Sequence, residues 1–192
     1  MIQDLILSID TEFNGDIPGI NSLWSIGAAA FSIEKEDKVY VPKLIDQFEV
    51  HMHDLPGTTH SRTNMEFWEQ HQQALEYCRK ETIEPKRAIE QFDAWLGKLP
   101  RKYIVATWPA NADVAYIEYY YELFLKKRPF PDFLLDLRSY AFAMFKQEIW
   151  KEAGMKNLPA GWKPDNPTPH RAGADAIAQG YMACNLIIAN LK

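Results

Sequence analysis

The sequence predicts one α/β domain over residues 1–192, with a mixed central sheet of about five strands flanked by helices. Three observations carry this reading. The N-terminal third holds three strand-like segments, Leu5–Ile9, Leu23–Ser32 and Val39–Met52. From Thr63 the apolar spacing switches to the helical repeat. A β-branched segment, Tyr103–Thr107, then interrupts the helical second half, so strands and helices alternate.

Taken in order, Leu5, Ile6, Leu7 and Ile9 form a nearly unbroken apolar run, as in a strand covered on both faces, and the run stops at Asp10. The turn cluster Asn14-Gly15-Asp16-Ile17-Pro18-Gly19 separates it from Leu23–Ser32. Val39–Met52 alternates as a third strand, and Pro42, which has no N–H for a ladder, places it at an edge or bulge. Behind the capping cluster Ser61–Asn64, the residues Met65, Phe67, Trp68, His71, Leu75 and Cys78 predict one helix of about four turns. A second helix begins near Pro85 and carries Ala88, Ile89, Phe92, Trp95 and Leu96 on one face before Gly97 and Pro100 stop it. Tyr103–Thr107 has the composition of a central strand, and Pro109 closes it before a helical pattern over Val114–Lys126, with Asp113 at the junction. Phe133–Asp136 leads into a helix from about Leu137 to Trp150. A Pro/Gly-rich loop, Gly154–Pro169, then precedes a final helix over Arg171–Leu191.

Composition narrows the classes. With 47% hydrophobic and 24% charged residues the chain has enough apolar material for a core, which excludes a disordered protein. No apolar run approaches the roughly 18 residues needed to span a bilayer, and Asp4 ahead of Leu5–Ile9 is unlike a signal peptide. A soluble, cytoplasmic protein without membrane contact is the expectation. The two cysteines, Cys78 and Cys184, are too few for a disulfide framework and lack zinc-site spacing. A net charge of −5 argues against coating nucleic acid through a broad basic surface. It is compatible with a site in which carboxylates hold divalent metal and a few local cations meet phosphates, such as Lys126-Lys127-Arg128, Arg101-Lys102, Arg138 and Lys163.

Chemistry-bearing residues fall at element boundaries. In Asp10-Thr11-Glu12, alternation in an extended chain puts both carboxylates on one side, about 7 Å apart along the backbone, where they can converge on a hard cation. Asp113 opens the helix after the fourth strand, and Asp175 follows His170 by five residues in the last helix, so each can face the same strand end. Singly, Asp10 and Glu12 read more readily as a turn-capping pair and Asp113 and Asp175 equally well as first-turn helix acids, and among 26 acidic residues a chance Asp-x-Glu is expected. Their order is what discriminates.

In that order, Asp10-Thr11-Glu12-Phe13-Asn14-Gly15, Ser25-Ile26-Gly27-Ala28, Asp113 and His170-Arg171-Ala172-Gly173-Ala174-Asp175-Ala176, the chain resembles the DEDDh 3′-to-5′ exonucleases (DnaQ-like) of the ribonuclease H-like superfamily. It departs from the family pattern at Ser25, where an acid is common, and before Asp113, where Trp108-Pro109 and Ala112 replace a His-Asn pair and an aromatic residue. The resemblance implies hydrolysis of phosphodiesters at single-stranded 3′ ends of DNA or RNA, with release of nucleoside monophosphates and two Mg²⁺ or Mn²⁺ ions. By similarity Asp10 bridges the ions, Glu12 and Asp175 complete the site of the ion that holds the attacking water, and Asp113 holds the second ion, partly through water. His170 is then the general base. Phe13, Asn14, Trp68, Trp162 and Arg171 are expected to touch substrate, and a homodimer is an expected partner state. The competing class is a catalytically silent module of the same fold that binds nucleic acid or a protein, but such modules are expected to lose carboxylates, and here all five positions are filled. A metallohydrolase built on His51-Met52-His53-Asp54 ranks third, for lack of a third histidine at ligand spacing.

Overall fold

The computed structural model describes residues 4–100 and 102–191, so Arg101 of the basic pair lies outside them. Five strands, β1 (Leu5–Phe13), β2 (Leu23–Glu36), β3 (Val39–His51), β4 (Tyr103–Thr107) and β5 (Leu135–Asp136), form one sheet in the order β3-β2-β1-β4-β5. The first three run as an antiparallel meander, while β4 and β5 join in parallel, giving the mixed sheet expected. β3 is an edge strand, and its Pro42 pairs opposite Ile33 without a ladder N–H to lose.

Alternation along β1 sends Leu5, Leu7 and Ile9 to one face and Ile6, Ser8, Asp10 and Glu12 to the other. The first face is covered by α3 (Pro85–Leu96) and α4 (Ala110–Leu125), whose Ile89, Phe92, Tyr116, Ile117 and Tyr120 pack on Leu7, Ile9, Ile26 and Ala28. Each of the large apolar side chains among them, such as Leu7, Ile9, Ile26, Ile89 and Phe92, contributes roughly 1.5–3 kcal/mol by leaving water. The second face is covered by α5 (Leu137–Met144) and α6 (Ala172–Asn190), through Leu137, Ala141, Ala176, Met182 and Leu186 against Ile6, Ala29 and Phe31. Small residues let α6 lie close: a Cβ on Gly180 would stand 2.2 Å from the Phe31 ring. The buried Gln179 amide donates to Ile9 O at 2.7 Å and Ser8 Oγ at 3.2 Å, fixing α6 along β1. Among the described residues no helix is long and apolar enough to cross a membrane.

Three predicted boundaries are corrected. The helix expected from Thr63 is two helices, α1 (Arg62–Gln70) and α2 (Gln72–Cys78), broken at His71, whose φ/ψ is −125°/46°. There the His71 N–H bonds Trp68 O, while its ring Nδ1 donates to Phe67 O at 2.8 Å, taking the acceptor a continuing helix would use. α4 starts at Ala110, within one residue of Pro109. α5 ends at Met144 rather than Trp150, because Lys146 adopts φ 50° and Gln147 N bonds back to Phe142 O at 3.2 Å, a Schellman closure made without the usual glycine. Trp150–Glu152 is a separate 3₁₀ turn.

Candidate active site

The site forms where the C-terminal end of β1 meets the first turn of α6. Asp10, Gly27 and Glu49 are direct partners across β1, β2 and β3, so they form one transverse row on the α6 face, and Glu12, Ser25 and His51 form the next row. Gly27 is the gap in the first row. A Cβ there would lie 2.0 Å from the Ala172 carbonyl carbon and 2.3 Å from Gly173 N, so only glycine lets the first turn of α6 settle between Asp10 and Glu49. That turn carries Asp175, whose Oδ2 accepts from His170 N at 2.6 Å and whose Oδ1 accepts from Asn166 Nδ2 at 2.9 Å.

One oxygen each of Asp10, Glu12 and Asp175 lies within 4.8 Å of the others. Burial first, and then the charges of Asp113, Glu12 and Asp175, hold the Asp10 carboxyl well above its ordinary range, with Lys163 opposing. Burial followed by Asp175, Asp113 and Glu49 does the same to Glu12. Three converging hard oxygens that repel one another suit a divalent cation such as Mg²⁺ or Mn²⁺, which would neutralise them. The residues therefore fit the metal.

Asp113 approaches differently. Thr11, on the opposite face of β1 from Asp10 and Glu12, donates to Asp113 Oδ1 through its N–H at 2.9 Å and its hydroxyl at 2.7 Å. Thr107 Oγ1 donates to Oδ2 at 2.8 Å. The fourth acid thus reaches the strand end from the α4 side, already bonded on both oxygens, and is not in the group of three. Burial pushes its carboxyl up to about 6, against the hydrogen bonds from Thr11 and Thr107.

His170 has φ 62° and is partly buried, held through both its ring and its backbone. Its ring meets Phe67 and His71 edge-on at centroid distances of 4.9 and 4.6 Å, and its carbonyl accepts from Cys78 Sγ at 3.7 Å. Burial, then the neighbouring His71 and Lys163, lowers its pKa against the pull of Asp175, so the imidazole favours its neutral, proton-accepting form.

The expected substrate-contacting residues divide. Trp68 is a correction: its ring is 1% exposed, packs on Trp24 at 5.6 Å and donates from Nε1 to Phe13 O at 3.0 Å, so it is core. The neighbouring Phe67, 37% exposed, is the surface aromatic. Asn14 is also buried, accepting from Ser22 N at 2.7 Å and donating to Asp54, which makes it a turn-closing residue. Phe13 is half-buried and stacks on Tyr116 at 4.9 Å. Trp162 leans on Phe145, and Arg171 stacks over Tyr77 at 4.3 Å. The His51-His53 pair is dispersed, His51 bonding Lys80 O and Glu49 while His53 bonds Thr82. Thr11, Thr107, Gly27 and Glu49 were not singled out as functional by sequence reasoning; only the glycine, lying within Ser25-Ile26-Gly27-Ala28, left a signal.

No family model matches the chain. It is 25% identical over 184 residues to the 3′-5′ DNA exonuclease Cap18 of Escherichia coli, covering 94% of this chain and 90% of that protein. Its fold matches the nuclease domain of 3′hExo, a DEDDh family member solved bound to rAMP, with TM-score 0.68, 13% identity and coverage of 96% and 92%. Pop2p of S. pombe in its Mg²⁺- and Mn²⁺-bound form matches with TM-score 0.58 and 13% identity over 94% and 82% of the two chains. E. coli exonuclease I in complex with a dT13 oligonucleotide matches with TM-score 0.65 and 12% identity, over 95% of this chain and 40% of that one. In fold, in the order of its motifs and through a relative aligned over nearly its whole length, the chain is similar to the DEDDh family of ribonuclease H-like 3′-to-5′ exonucleases.

Proposed function

We propose that the chain acts as one metal-dependent 3′-to-5′ exonuclease domain, hydrolysing phosphodiesters at single-stranded 3′ ends and releasing nucleoside monophosphates, with DNA as the first substrate to test. The observation that carries this is the convergence of Asp10, Glu12 and Asp175 beside a His170 whose backbone is tied to Asp175. The Cap18 relative, named a DNA exonuclease, supports the choice of substrate.

A pair of Mg²⁺ or Mn²⁺ ions, when bound, stabilises the attacking and leaving oxygens of an in-line displacement. Asp10 would be shared between both ions, Glu12 and Asp175 would serve the one nearer the attacking water, and Asp113 would serve the other, partly through water, with Oδ1 taking both Thr11 donors and Oδ2 keeping a lone pair beside Thr107. The neutral imidazole of His170 takes the proton of the attacking water. Arg171, next to His170, would meet a terminal phosphate, and the exposed Phe67, whose ring meets His170 edge-on, would stack on a terminal base, with Phe13 at the end of the same strand. Every residue in this scheme comes from one copy of the chain.

The test is digestion of 5′-labelled single-stranded DNA, single-stranded RNA and overhanging duplexes in Mg²⁺, Mn²⁺ and EDTA, alongside Asp10→Ala and His170→Ala. A metal-dependent ladder shortening from the 3′ end, lost in both variants, is expected. Binding of oligonucleotide without cleavage by the folded, metal-saturated protein would favour the silent module, and cleavage surviving Asp10→Ala would overturn the site.

A further inference from the structure

Glu49 lies outside the motifs singled out above, on the edge strand β3, yet it is wired directly to the helix that carries Asp175 and follows His170. It shares the transverse row of Asp10 and Gly27, so the first turn of α6 sits over Gly27 with Asp10 on one side and Glu49 on the other. Its Oε1 accepts from Gly173 N at 3.0 Å, and its Oε2 accepts from Tyr77 OH at 2.8 Å. His51 Nε2 stands 3.5 Å from Oε1. The ring of Tyr77 in turn carries the Arg171 guanidinium at 4.3 Å.

This carboxylate does what the local sequence of α6 does not. The N-cap residue of α6 is Arg171, whose side chain makes no capping hydrogen bond, leaving the amides of the first turn in need of an acceptor. Glu49 supplies one from another strand and brings a negative charge to the helix N-terminus. Gly173 leaves room for it: a Cβ there would stand 2.7 Å from Glu49 Oε2 and 2.8 Å from its carboxyl carbon. The acid is held there although its charge adds to the repulsion already bearing on Glu12.

We propose that Glu49 is a positioning residue that clamps the first turn of α6, and with it His170, Arg171 and Asp175, in register with Asp10 and Glu12. The inference rests on the exonuclease reading above and deepens it. Glu49 touches neither metal nor substrate; it acts through the Gly173 amide and the Tyr77 hydroxyl. Losing a partner that orients metal ligands costs about 10- to 100-fold in metal affinity or activity.

The experiment uses the full chain and four variants, Glu49→Ala, Glu49→Gln, Gly173→Ala and the double Glu49→Ala/Gly173→Ala. Mn²⁺ binding to the metal-free protein is read by calorimetry, and kcat and KM on 5′-labelled single-stranded DNA. Glu49→Ala and Gly173→Ala are each expected to lower kcat and Mn²⁺ affinity about 10- to 100-fold, with KM moving less than about threefold. The double variant is expected to be no worse than Glu49→Ala, because the added methyl acts only by displacing Glu49. Glu49→Gln, whose amide oxygen still accepts from Gly173 N, is expected to recover part of the loss. Gly173→Ala replaces glycine by a better helix former, so it carries the test even if Glu49→Ala does not fold. Unchanged kcat and Mn²⁺ binding in Glu49→Ala or Gly173→Ala, additive losses in the double variant, or a rise in KM alone would overturn the role of Glu49. A wild-type protein that neither binds Mn²⁺ nor cleaves would instead overturn the exonuclease reading.

Discussion

Gly27→Ala places one methyl group where the geometry leaves none. The added Cβ would lie 2.0 Å from the Ala172 carbonyl carbon and oxygen and 2.3 Å from Gly173 N, whereas ordinary contact starts near 3.4 Å. These are backbone atoms, so no rotamer change relieves the clash, and α6 must lift by about 3.4 − 2.0 = 1.4 Å at its first turn. Asp175 and His170 ride on or beside that turn, while Asp10 and Glu12 stay on β1. A misplacement of about 1 Å in a catalytic group costs on the order of 100-fold, so kcat on 5′-labelled single-stranded DNA should fall by about that factor or more. Overpacking of this kind costs about 1–3 kcal/mol, which for a chain of this size lowers the melting temperature by roughly 2–12 °C. Gly180→Ala is the control: its Cβ meets the Phe31 ring at 2.2 Å farther along α6, so it should lower stability with much less effect on rate. A Gly27→Ala protein that keeps kcat within threefold of wild type would refute the reasoning.

Three further outcomes follow from the same geometry. Burial raises the pKa values of Asp10, Glu12 and Asp113, with repulsion between carboxylates adding to the first two, so above about pH 4 the metal-free native state holds more protons than the unfolded chain, and its stability falls as pH rises through about 6. Glu49 and Asp136, whose pKa values are lowered, act with the opposite sign only below their ordinary range, while the lowered His170 opposes the trend below about 6.5 as one group against three acids, with the raised His51 adding to it. Melting curves should therefore show a metal-free protein losing stability between pH 5 and 7.5 and Mn²⁺ restoring more at the higher pH; a metal-free melting temperature that rises over this interval would contradict the shifts. Thr107→Val leaves Asp113 Oδ2 without its 2.8 Å donor inside the protein and should cost about 1–3 kcal/mol, read by denaturant titration, and a neutral result would mean that the bond contributes nothing. Trp68→Ala should destabilise by about 3–5 kcal/mol, whereas Phe67→Ala should melt near wild type yet weaken single-strand binding by about 1–3 kcal/mol, measured by fluorescence anisotropy; equal stability losses would remove the distinction drawn between the two rings.

Much of the architecture was legible because it is written in local periodicity. Tyr103–Thr107 emerged with the bounds read from its β-branched run, and Pro85–Leu96 with those set by its proline and glycine ends. The break at His71 was not legible, since it depends on a ring nitrogen taking the Phe67 carbonyl, an event that no spacing announces. The end of α5 escaped for a similar reason, with Lys146 doing what a glycine usually does. Trp68 and Phe67 sit side by side on one helix, and which of them faces solvent depends on where that helix docks.

By itself the sequence determined the α/β class, the strand that presents Asp10 and Glu12 on one side, and the order of the five residues proposed to do the chemistry, because alternation and motif order are properties of the chain alone. Only the tertiary structure decided that Asp113 arrives from the other face of β1, bonded to Thr11 and Thr107 at sequence separations of 102 and 6. Only it showed why Gly27 must be glycine and that Glu49 caps a helix 124 positions away in the chain. Hydrogen bonds and steric gaps between distant segments depend on relative placement in space, and that placement follows from the packing of the whole sheet and its covering helices rather than from any local pattern of residues.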